Sequence, residues 1–448
     1  MSVGMQRLRE EPEVVRRGAI DKGEDPSLVD AALALDERRR ALLGEGDTLK
    51  AERNAASKRI GDAVRGGADP TGPDVAALRD ASTRVGARID EIDAEVARVE
   101  AELEDALVRI PNPADPGVPV GGSEANVTVR TWGELLPRVA PLVGETGADA
   151  PAGGATWERL PHWDVAERLR IFELERGAKV AGSGFPVYRG AGAAMQRALI
   201  DFFLKVHTTE HGFTEIWPPA VVNSASARGT GQIPDKEDQM YVVTRDDLYL
   251  VPTAEVPVTN LHRDEILEAD ELPIRYAAYS PCFRREAGAA GKDTRGILRV
   301  HQFDKVEMVL FEKPDASADA LEWMVARAEE LLRRLGLAYR VLLMATGDMG
   351  FVQAKKYDLE VWAPGVERWL EVSSCSNFRD YQARRMAIRY RPAPGAKPEL
   401  VHTLNGSGLA LARVVAAILE TYQQPDGSVA LPDVLRPFMG MDRIVAPA

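Results

Sequence analysis

Three neighbouring segments decide the fold: Phe283-Arg284-Arg285-Glu286, the segment 287–296, and Arg299-Val300-His301-Gln302-Phe303. The middle segment is small, glycine-rich and charged, which is typical of a flexible loop. We interpret the three parts as a strand, a loop and a second strand that leads into Val306 and Glu307. Side chains two residues apart on a strand point to the same face, so Arg284 and Glu286 are predicted to share one.

This predicted hairpin carries groups suited to a nucleotide. An arginine can donate two parallel hydrogen bonds to a phosphate or a carboxylate, and a glutamate can accept one from an amino group such as that of adenine. A surface hairpin with ordinary ion pairs remains the alternative for this stretch alone.

The remainder of the C-terminal two thirds mixes helices with short strands. Helices are predicted over 195–210, 316–335 and 408–422, and strands over 213–216, 249–251, 276–279, 306–311 and 359–362. Long helices do not alternate regularly with these strands, and the glycine clusters lack the spacing of dinucleotide-binding or P-loop motifs. The fold class is therefore α+β, with a domain built on a mainly antiparallel sheet.

The N-terminal third follows a different pattern, with apolar residues every seven positions. The repeats are Leu28, Leu35, Leu42 and Leu49, then Leu78, Val85, Ile92 and Val99, with a second series at Ile89, Val96, Leu103 and Ile110. The helix-breaking segment 66–73 separates the two halves. The sequence therefore predicts an antiparallel two-helix coiled-coil arm.

Charge is distributed unevenly along this arm. Residues 50–88 carry a net charge of +3 and residues 89–108 a net charge of −7. This separation favours an arm whose tip meets a polyanion over the alternative of a spacer or dimerisation coiled coil.

Composition excludes several classes of protein. The 448 residues carry a formal net charge of −13, so the chain as a whole is not a basic nucleic-acid coat. Two cysteines exclude a disulfide scaffold and a multi-cysteine zinc site, and they indicate a reducing, cytoplasmic location. No apolar run is long enough for a membrane helix, and the N-terminus lacks the core of a signal peptide.

Two further stretches carry candidate ligands. Glu371-Val372-Ser373-Ser374 is predicted at a strand end, where Glu371 and Ser374 offer the hard oxygens that Mg²⁺ prefers, although such strand ends are often only turns. Asn405-Gly406-Ser407-Gly408 is predicted to open an apolar helix with Arg413 one turn inside. Its glycines would let a ligand approach closely or would serve tight packing.

These stretches, in this order and after Pro218-Pro219, resemble the signature motifs of class II aminoacyl-tRNA synthetases. Within that class they are similar to seryl-tRNA synthetases, as are Thr253-Ala254-Glu255 and the N-terminal arm. The resemblance spans about 5–444. Two departures are a long loop at 143–155 and Ala412, which stands where a glycine is expected.

The resemblance implies ATP-dependent activation of L-serine and transfer of the seryl group to the 3′ end of serine tRNA, with selenocysteine tRNA left open as a second substrate. It implies a catalytic set of Arg284, Glu286 and Arg413, and a serine site of Thr253, Ala254, Glu255, Glu307 and Ser407. The implied ATP site comprises Arg284, Arg285, Glu286, Val300, Phe303, Glu371, Val372, Ser373, Ser374 and Arg413, with Mg²⁺ on Glu371 and Ser374.

The implied partner is the long variable arm of serine tRNA, bound through Arg53, Lys58 and Arg84. A homodimer with no membrane attachment is also implied. The domain boundaries predicted are 1–112 for the tRNA-binding domain, 113–156 for a linker and surface loop, and 157–448 for the catalytic domain. A paralogue that charges a carrier protein and a non-catalytic coiled-coil binder of nucleic acid remain the alternatives.

Overall fold

The computed structural model describes residues 3–141, 156–287 and 295–447. The predicted loop 143–155 and residues 288–294 of the predicted loop 287–296 lie outside this range. The chain divides into two compact units, Met1–Pro111 and Asn112–Ala448.

The first unit is a helical hairpin preceded by two short helices. Its elements are α1 (Met5–Glu10), α2 (Pro12–Asp21), α3 (Ser27–Arg65) and α4 (Pro73–Val108). The turn between the long helices contains Gly67 at φ 93°, a conformation that favours glycine, and Pro73 begins α4 at a position where proline loses no helical hydrogen bond. The two long helices pack along each other, so the predicted antiparallel arm is confirmed.

The heptad series forms the seam of this hairpin. Leu42, Ile92 and Val99 are buried together, with Leu35, Leu49 and Val96 packed against them. Helix α3 also carries a buried acid. Asp36 is fully buried, and a hydrogen bond from Arg9 at 2.7 Å holds the pKa of its carboxyl below the usual value. The sequence pattern alone did not reveal this ionic contact.

The second unit is built on one large sheet. Its strands, in chain order, are β1 (Val127–Trp132), β2 (Val139–Pro141), β3 (Thr156–Glu158), β4 (Phe172–Glu173), β5 (Val187–Tyr188), β6 (Thr214–Ile216), β7 (Val221–Asn223), β8 (Val242–Val243), β9 (Leu248–Leu250), β10 (Ile266–Glu268), β11 (Ile274–Phe283), β12 (Gln302–Glu312), β13 (Tyr339–Leu343), β14 (Lys355–Ala363), β15 (Arg368–Arg379), β16 (Arg389–Arg391), β17 (Glu399–Leu400), β18 (His402–Ala410), β19 (Val429–Ala430) and β20 (Arg443–Ile444). The large sheet has the order β1-β13-β14-β15-β18-β12-β11-β6, and every pair is antiparallel except β11 with β6.

Helices cover both faces of this sheet. They are α5 (His162–Leu169), α6 (Leu174–Ala181), α7 (Ala191–Thr209), α8 (Ser224–Thr230), α9 (Glu255–Thr259), α10 (Ser317–Arg334), α11 (Thr346–Met349), α12 (Tyr381–Met386), α13 (Leu411–Thr421) and α14 (Arg436–Met439). The long helices α7, α10 and α13 pack on one face, and the short helices α9 and α12 contact the other. The predicted α+β class with a mainly antiparallel sheet is confirmed.

The alternation along β12 separates the core from the polar face. Val306, Met308 and Leu310 point into the large apolar cluster formed with the long helices. Lys305 and Glu307 alternate with these residues along the strand and therefore point to the opposite face of the sheet. The same strand thus supplies both the core and the candidate site.

The predicted helix 408–422 was wrong at its start. Asn405 to Ala410 belong to β18, and the helix begins only at Leu411. Gly406 lies in the middle of the sheet, where a Cβ atom would come within 2.7 Å of both Cys375 Sγ and Met324 Sδ. This glycine therefore permits close packing of α10 on the sheet rather than the approach of a ligand.

Two other local expectations were also wrong. Glu371 to Ser374 lie inside the long strand β15, not at a strand end. Strand β11 ends at Phe283, and Glu286 has a φ of 49°, so Arg284 and Glu286 follow the strand instead of sharing its face. In both cases the pairing of distant strands sets the ends, and sequence patterns do not report it.

The other predicted helices and strands are present with shifted ends, but several strands were not predicted, among them β1 and β13 of the large sheet. β13 follows α10 directly, and β1 is the edge of the large sheet, inside the segment 113–156 that was expected to be a linker and surface loop. All six residues of β1 are exposed, so this strand has no buried apolar face to give a sequence signal.

We predict that Gly406→Ala lowers the free energy of unfolding by about 1–3 kcal/mol, because an added methyl overpacks the contact between β18 and α10. Thermal or denaturant unfolding of the second unit measures this. Met324→Ala removes one of the two clashing atoms, so the loss caused by Gly406→Ala should be smaller in that background. An equal loss in both backgrounds would contradict the proposed contact.

Candidate active site

A cavity of about 490 Å³ opens on the polar face of the large sheet. All but two of the residues predicted for the serine and ATP sites line it. They are Thr253, Glu255, Arg284, Glu286, Val300, Phe303, Glu307, Glu371, Val372, Ser373, Ser374, Ser407 and Arg413. The structure thus brings together residues that are separated by up to 160 positions in the chain.

One end of the cavity holds two buried carboxylates joined by an amide. Asn405 Nδ2 donates to Glu255 Oε2 at 2.8 Å and to Glu307 Oε1 at 3.0 Å. Glu307 is 1% exposed and lies opposite Ser407 in the pairing of β12 with β18. Both hydrogens of the Asn405 amide are therefore used to hold the carboxylates in place.

A buried lysine completes this end. Lys305 Nζ forms an ion pair with Glu307 Oε2 and donates to Thr253 Oγ1 at 2.8 Å. Thr253 lies two residues before Glu255, the first residue of α9. The strand β12 and the start of α9 are thus fixed to each other through the polar groups of the pocket.

The carboxyl of Glu255 has a raised pKa. Gln382 Nε2 donates to its Oε1 at 2.6 Å, yet burial and the neighbouring Glu307 charge raise the pKa of Glu255 to about 7. With both glutamates ionised, Lys305 compensates only one of the two negative charges. This end of the cavity is therefore built to accept one further cation, such as an ammonium group.

The other end carries aromatic and cationic groups. The Arg284 guanidinium lies 5.1 Å from the centroid of the Phe303 ring, and Arg299 Nη1 donates to Glu286 Oε2 at 2.6 Å. Val300 borders the same wall. A flat base can stack on the aromatic ring, and its amino group can donate a hydrogen bond to the Glu286 carboxylate oxygen that Arg299 does not contact.

Arg413 approaches this wall from α13. Its Nε donates to Leu298 O at 3.0 Å and its Nη1 to Glu371 O at 2.9 Å, and Nη1 lies 3.7 Å from Glu371 Oε2. The next residue back, Ala412, is 6% exposed and also borders the cavity. The guanidinium is thus oriented by two backbone carbonyls, which leaves further N–H groups to meet an anion.

The predicted metal ligands both lie on strand β15. A register shift between β14 and β15 opposite Leu359 and Glu360 marks a bulge, and both Glu371 and Ser374 border the cavity. Burial opposes ionisation of Glu371, but Lys356 and Arg413 outweigh it and lower the pKa of its carboxyl. A charged carboxylate beside a hydroxyl fits Mg²⁺.

Ala254 and Arg285 lie away from the cavity. Ala254 is fully buried in the apolar cluster between the sheet and α12. Arg285 is exposed, and its Nη1 donates to Asp238 O at 3.1 Å. Their assignment to the serine and ATP sites stays a prediction.

The predicted tRNA-binding residues belong to the helical unit. Arg53 and Lys58 on α3 and Arg84 on α4 are all exposed. By contrast, Arg88 on the same hairpin is held by Glu45 at 2.9 Å and by Glu91 at 3.1 Å. The predicted residues therefore differ from their neighbour in being available for an external anion.

Sequence reasoning missed four polar residues of the site. Asn405 stands inside a quoted motif and Lys305 follows one closely. Both alternate with apolar residues along their strands, and this alternation was the signal that could have identified them. Lys356, which pairs with Asp358 at 3.1 Å, follows the same logic on β14. Gln382 comes from α12, and its local sequence gives no signal.

Family models match both units. A model described as the seryl-tRNA synthetase N-terminal domain matches residues 4–114. A model described as the class II tRNA synthetase core domain of the G, H, P, S and T enzymes matches residues 241–422.

Relatives match over nearly the whole chain. The serine–tRNA ligase of Thermomicrobium roseum is 51% identical over 97% of this chain and 93% of its own, and that of Geobacillus kaustophilus is 51% identical over 97% of each. The crystal structure of the seryl-tRNA synthetase of Pyrococcus horikoshii complexed with ATP has a TM-score of 0.89 at 37% identity and covers 100% of both chains. Fold, cavity and relatives agree, and the chain belongs to the seryl-tRNA synthetase family of class II aminoacyl-tRNA synthetases.

Proposed function

We propose that the chain activates L-serine with ATP and transfers the seryl group to the 3′ end of serine tRNA. The observation that carries this proposal is one cavity with an ammonium-accepting end, formed by Glu255, Glu307 and Lys305, and a cationic end, formed by Arg284 and Arg413. A carboxylate substrate bound between the two ends has its amino group neutralised and its carboxylate directed at the cationic wall.

Serine is the amino acid that this pocket fits best. The Glu255 carboxylate receives the α-ammonium, and Glu307 retains a lone pair for the side-chain hydroxyl after its contacts with Asn405, Lys305 and Ser407. Alanine would leave that lone pair buried and unpaired. A site built to pair with a substrate hydroxyl rejects the analogue that lacks it by about 10⁴-fold or more.

The chemistry needs positioning and charge stabilisation more than acid–base groups. In the first step the serine carboxylate attacks the α-phosphorus of ATP and pyrophosphate leaves. In the second step a ribose hydroxyl of the tRNA attacks the seryl carbonyl and AMP leaves. Arg284 is placed to stabilise the α-phosphate, Phe303 and Glu286 to hold the adenine, and Arg413 to meet the outer phosphates.

Mg²⁺ is the metal that the donor set fits. Glu371 and Ser374 would hold it together with the phosphates of ATP, and Lys356 supplies a fixed positive charge beside them. Bound there, the ion would neutralise phosphate charge during departure of pyrophosphate.

The helical unit is the proposed tRNA-binding domain, over 1–112, and 157–448 is the proposed catalytic domain, with 113–156 between them. The exposed Arg53, Lys58 and Arg84 support a contact with the phosphates of the long variable arm of the tRNA. A carrier-protein paralogue would have no use for such an arm.

The active form is proposed to be a homodimer in the cytoplasm. Trp217, between β6 and Pro218, is 77% exposed, which supports an interface at this edge of the sheet. Both cysteines are free and buried, consistent with a reducing compartment. Among the described residues no helix is long and apolar enough to span a membrane.

We predict that Glu307→Gln lowers kcat/KM for serine by about 10- to 100-fold, because a charged acceptor for the hydroxyl is lost. The KM for ATP should change less than about threefold. Serine-dependent exchange of pyrophosphate into ATP measures both constants. Glu312→Gln, at the far end of the same strand and outside the cavity, is the matched control and should behave like the parent protein. Unchanged serine kinetics in Glu307→Gln would remove Glu307 from the serine site.

We predict that kcat/KM for serine falls as the pH drops through about 7, because Glu255 must be ionised to receive the ammonium and its pKa is raised to about 7. Above that pH the profile should be level until the substrate ammonium titrates. Glu255→Gln should give a lower rate without this acidic limb. An acidic limb that survives in Glu255→Gln would assign the titration to another group.

We predict that Arg53→Ala and Arg84→Ala each weaken tRNA binding and make the salt dependence of log affinity shallower by about one unit or less. Pyrophosphate exchange should be unaffected, because neither residue borders the cavity. Arg88→Ala is the matched control, since its guanidinium is already paired within the hairpin. If Arg53→Ala and Arg84→Ala weaken tRNA binding no more than Arg88→Ala does, the arm is only a structural coiled coil.

A further inference from the structure

A buried histidine–glutamate pair lies outside the cavity. His162, at the start of α5, and Glu420, near the end of α13, are both fully buried. His162 Nδ1 is 2.8 Å from Glu420 Oε1. Neither residue borders the cavity, and neither has a part in the proposed reaction steps.

Glu420 is saturated with hydrogen bonds from N–H groups. Its Oε1 also accepts from the backbone N of His162 at 2.9 Å, and its Oε2 accepts from the backbone N of Gly365 at 2.8 Å and of Val366 at 3.1 Å. A carboxylate that accepts in every direction fixes the proton of the imidazole on Nδ1. His162 Nε2 is therefore an acceptor.

That acceptor holds the backbone beside the nucleotide end of the cavity. Ile297 N lies 3.3 Å from His162 Nε2 and donates to it. The next residue, Leu298, borders the cavity, and its carbonyl accepts the hydrogen bond from Arg413 Nε at 3.0 Å. A continuous path of hydrogen bonds and one peptide unit thus joins Glu420, His162, Leu298 and Arg413.

Local packing shows that the backbone is fitted to this histidine. Gly296 has a φ of 69°, and a Cβ atom there would clash with the His162 ring. The Arg295 guanidinium lies 4.9 Å from the ring centroid of Trp163, the residue after His162. Residues 295–297 are therefore anchored to the start of α5.

We infer that His162 is a positioning residue for ATP, acting through Leu298 on the orientation of Arg413. This inference rests on the proposed function, because it assigns Arg413 to the phosphates of ATP. Without the Ile297 anchor the Leu298 carbonyl is free to move, and Arg413 loses one of the two carbonyls that aim its guanidinium. The serine end has no contact with this path.

Two substitutions separate the functions of the two ring nitrogens. In His162→Asn the amide nitrogen reaches the place of Nδ1 and keeps the bond to Glu420, but no atom replaces Nε2. In His162→Gln the longer side chain brings its amide oxygen to the place of Nε2 and keeps an acceptor for Ile297. We expect His162→Asn to raise the KM for ATP about 5- to 20-fold, because one or two hydrogen bonds that position Arg413 are lost. The KM for serine should stay within about twofold of the parent value. His162→Gln should stay within about threefold of the parent for both substrates.

A direct readout tests the anchor itself. Hydrogen exchange of the Ile297 amide should accelerate in His162→Asn and remain slow in His162→Gln. Introducing His162→Asn into an Arg413→Met background should add less than about twofold to the KM for ATP, because the path ends at Arg413.

The inference is overturned if His162→Asn leaves the KM for ATP and Ile297 exchange unchanged, or if both variants lose affinity for ATP and serine alike. It is also overturned if, in the double variant, the increases in the KM for ATP caused by His162→Asn and by Arg413→Met multiply. Direct titration of ATP binding and the Ile297 exchange need no serine or tRNA, so their results stand even if the parent protein fails to charge serine tRNA. That failure would instead refute the proposed function.

Discussion

The amide of Asn405, which joins the carboxylates of Glu255 and Glu307, is the contact on which the site depends. Two buried carboxylates repel each other, and each pays a desolvation cost that only hydrogen bonds and counter-charges offset. Asn405 supplies a donor to each, Gln382 a second donor to Glu255, and Lys305 the counter-charge to Glu307. Removing any one of these partners takes a donor or the counter-charge from a buried carboxylate. The pocket is therefore held as a unit.

The sheet holds these polar groups at the cavity while it keeps a continuous hydrophobic core. Because β12 alternates, Met308 and its apolar neighbours fill the large core while Glu307 faces the cavity. β18 repeats the pattern, with Leu404 in the core and Asn405 and Ser407 on the polar face. Gly406 between them lets α10 pack closely against the sheet. The rigidity of the core thus sets the spacing of the polar groups, which the proposed discrimination of serine by its hydroxyl requires.

Much of this design is readable from sequence wherever the signal is local. The heptad series on the arm depends on spacing alone, and it predicted the hairpin that buries Leu42, Ile92 and Val99. The residue types of the stretch around Arg284, Glu286 and Phe303 predicted groups suited to a nucleotide, and those side chains border the cavity. Both results rest on chemistry or periodicity within one segment of chain.

The sequence was less informative where distant segments pair. The bulge opposite Leu359 and Glu360 and the extension of β18 to Ala410 depend on strand partners far away in the chain. The exposed strand β1 has no buried face, so periodicity could not detect it. Gln382 joins Glu255 across 127 residues, and only the fold brings them together.

The net charge of the serine end explains why its groups are so deeply buried. Glu255, Glu307 and Lys305 together carry one uncompensated negative charge when both acids are ionised, and the raised pKa of Glu255 reflects the cost of that charge. An incoming ammonium relieves this cost, whereas a neutral or anionic ligand does not. Shallow, solvated carboxylates would bind many amines weakly, because water screens their charge. In the proposed function, burial makes recognition conditional on a ligand that brings both the positive charge and the hydroxyl, and the cationic wall around Arg284 and Arg413 then orients its carboxylate for reaction with ATP.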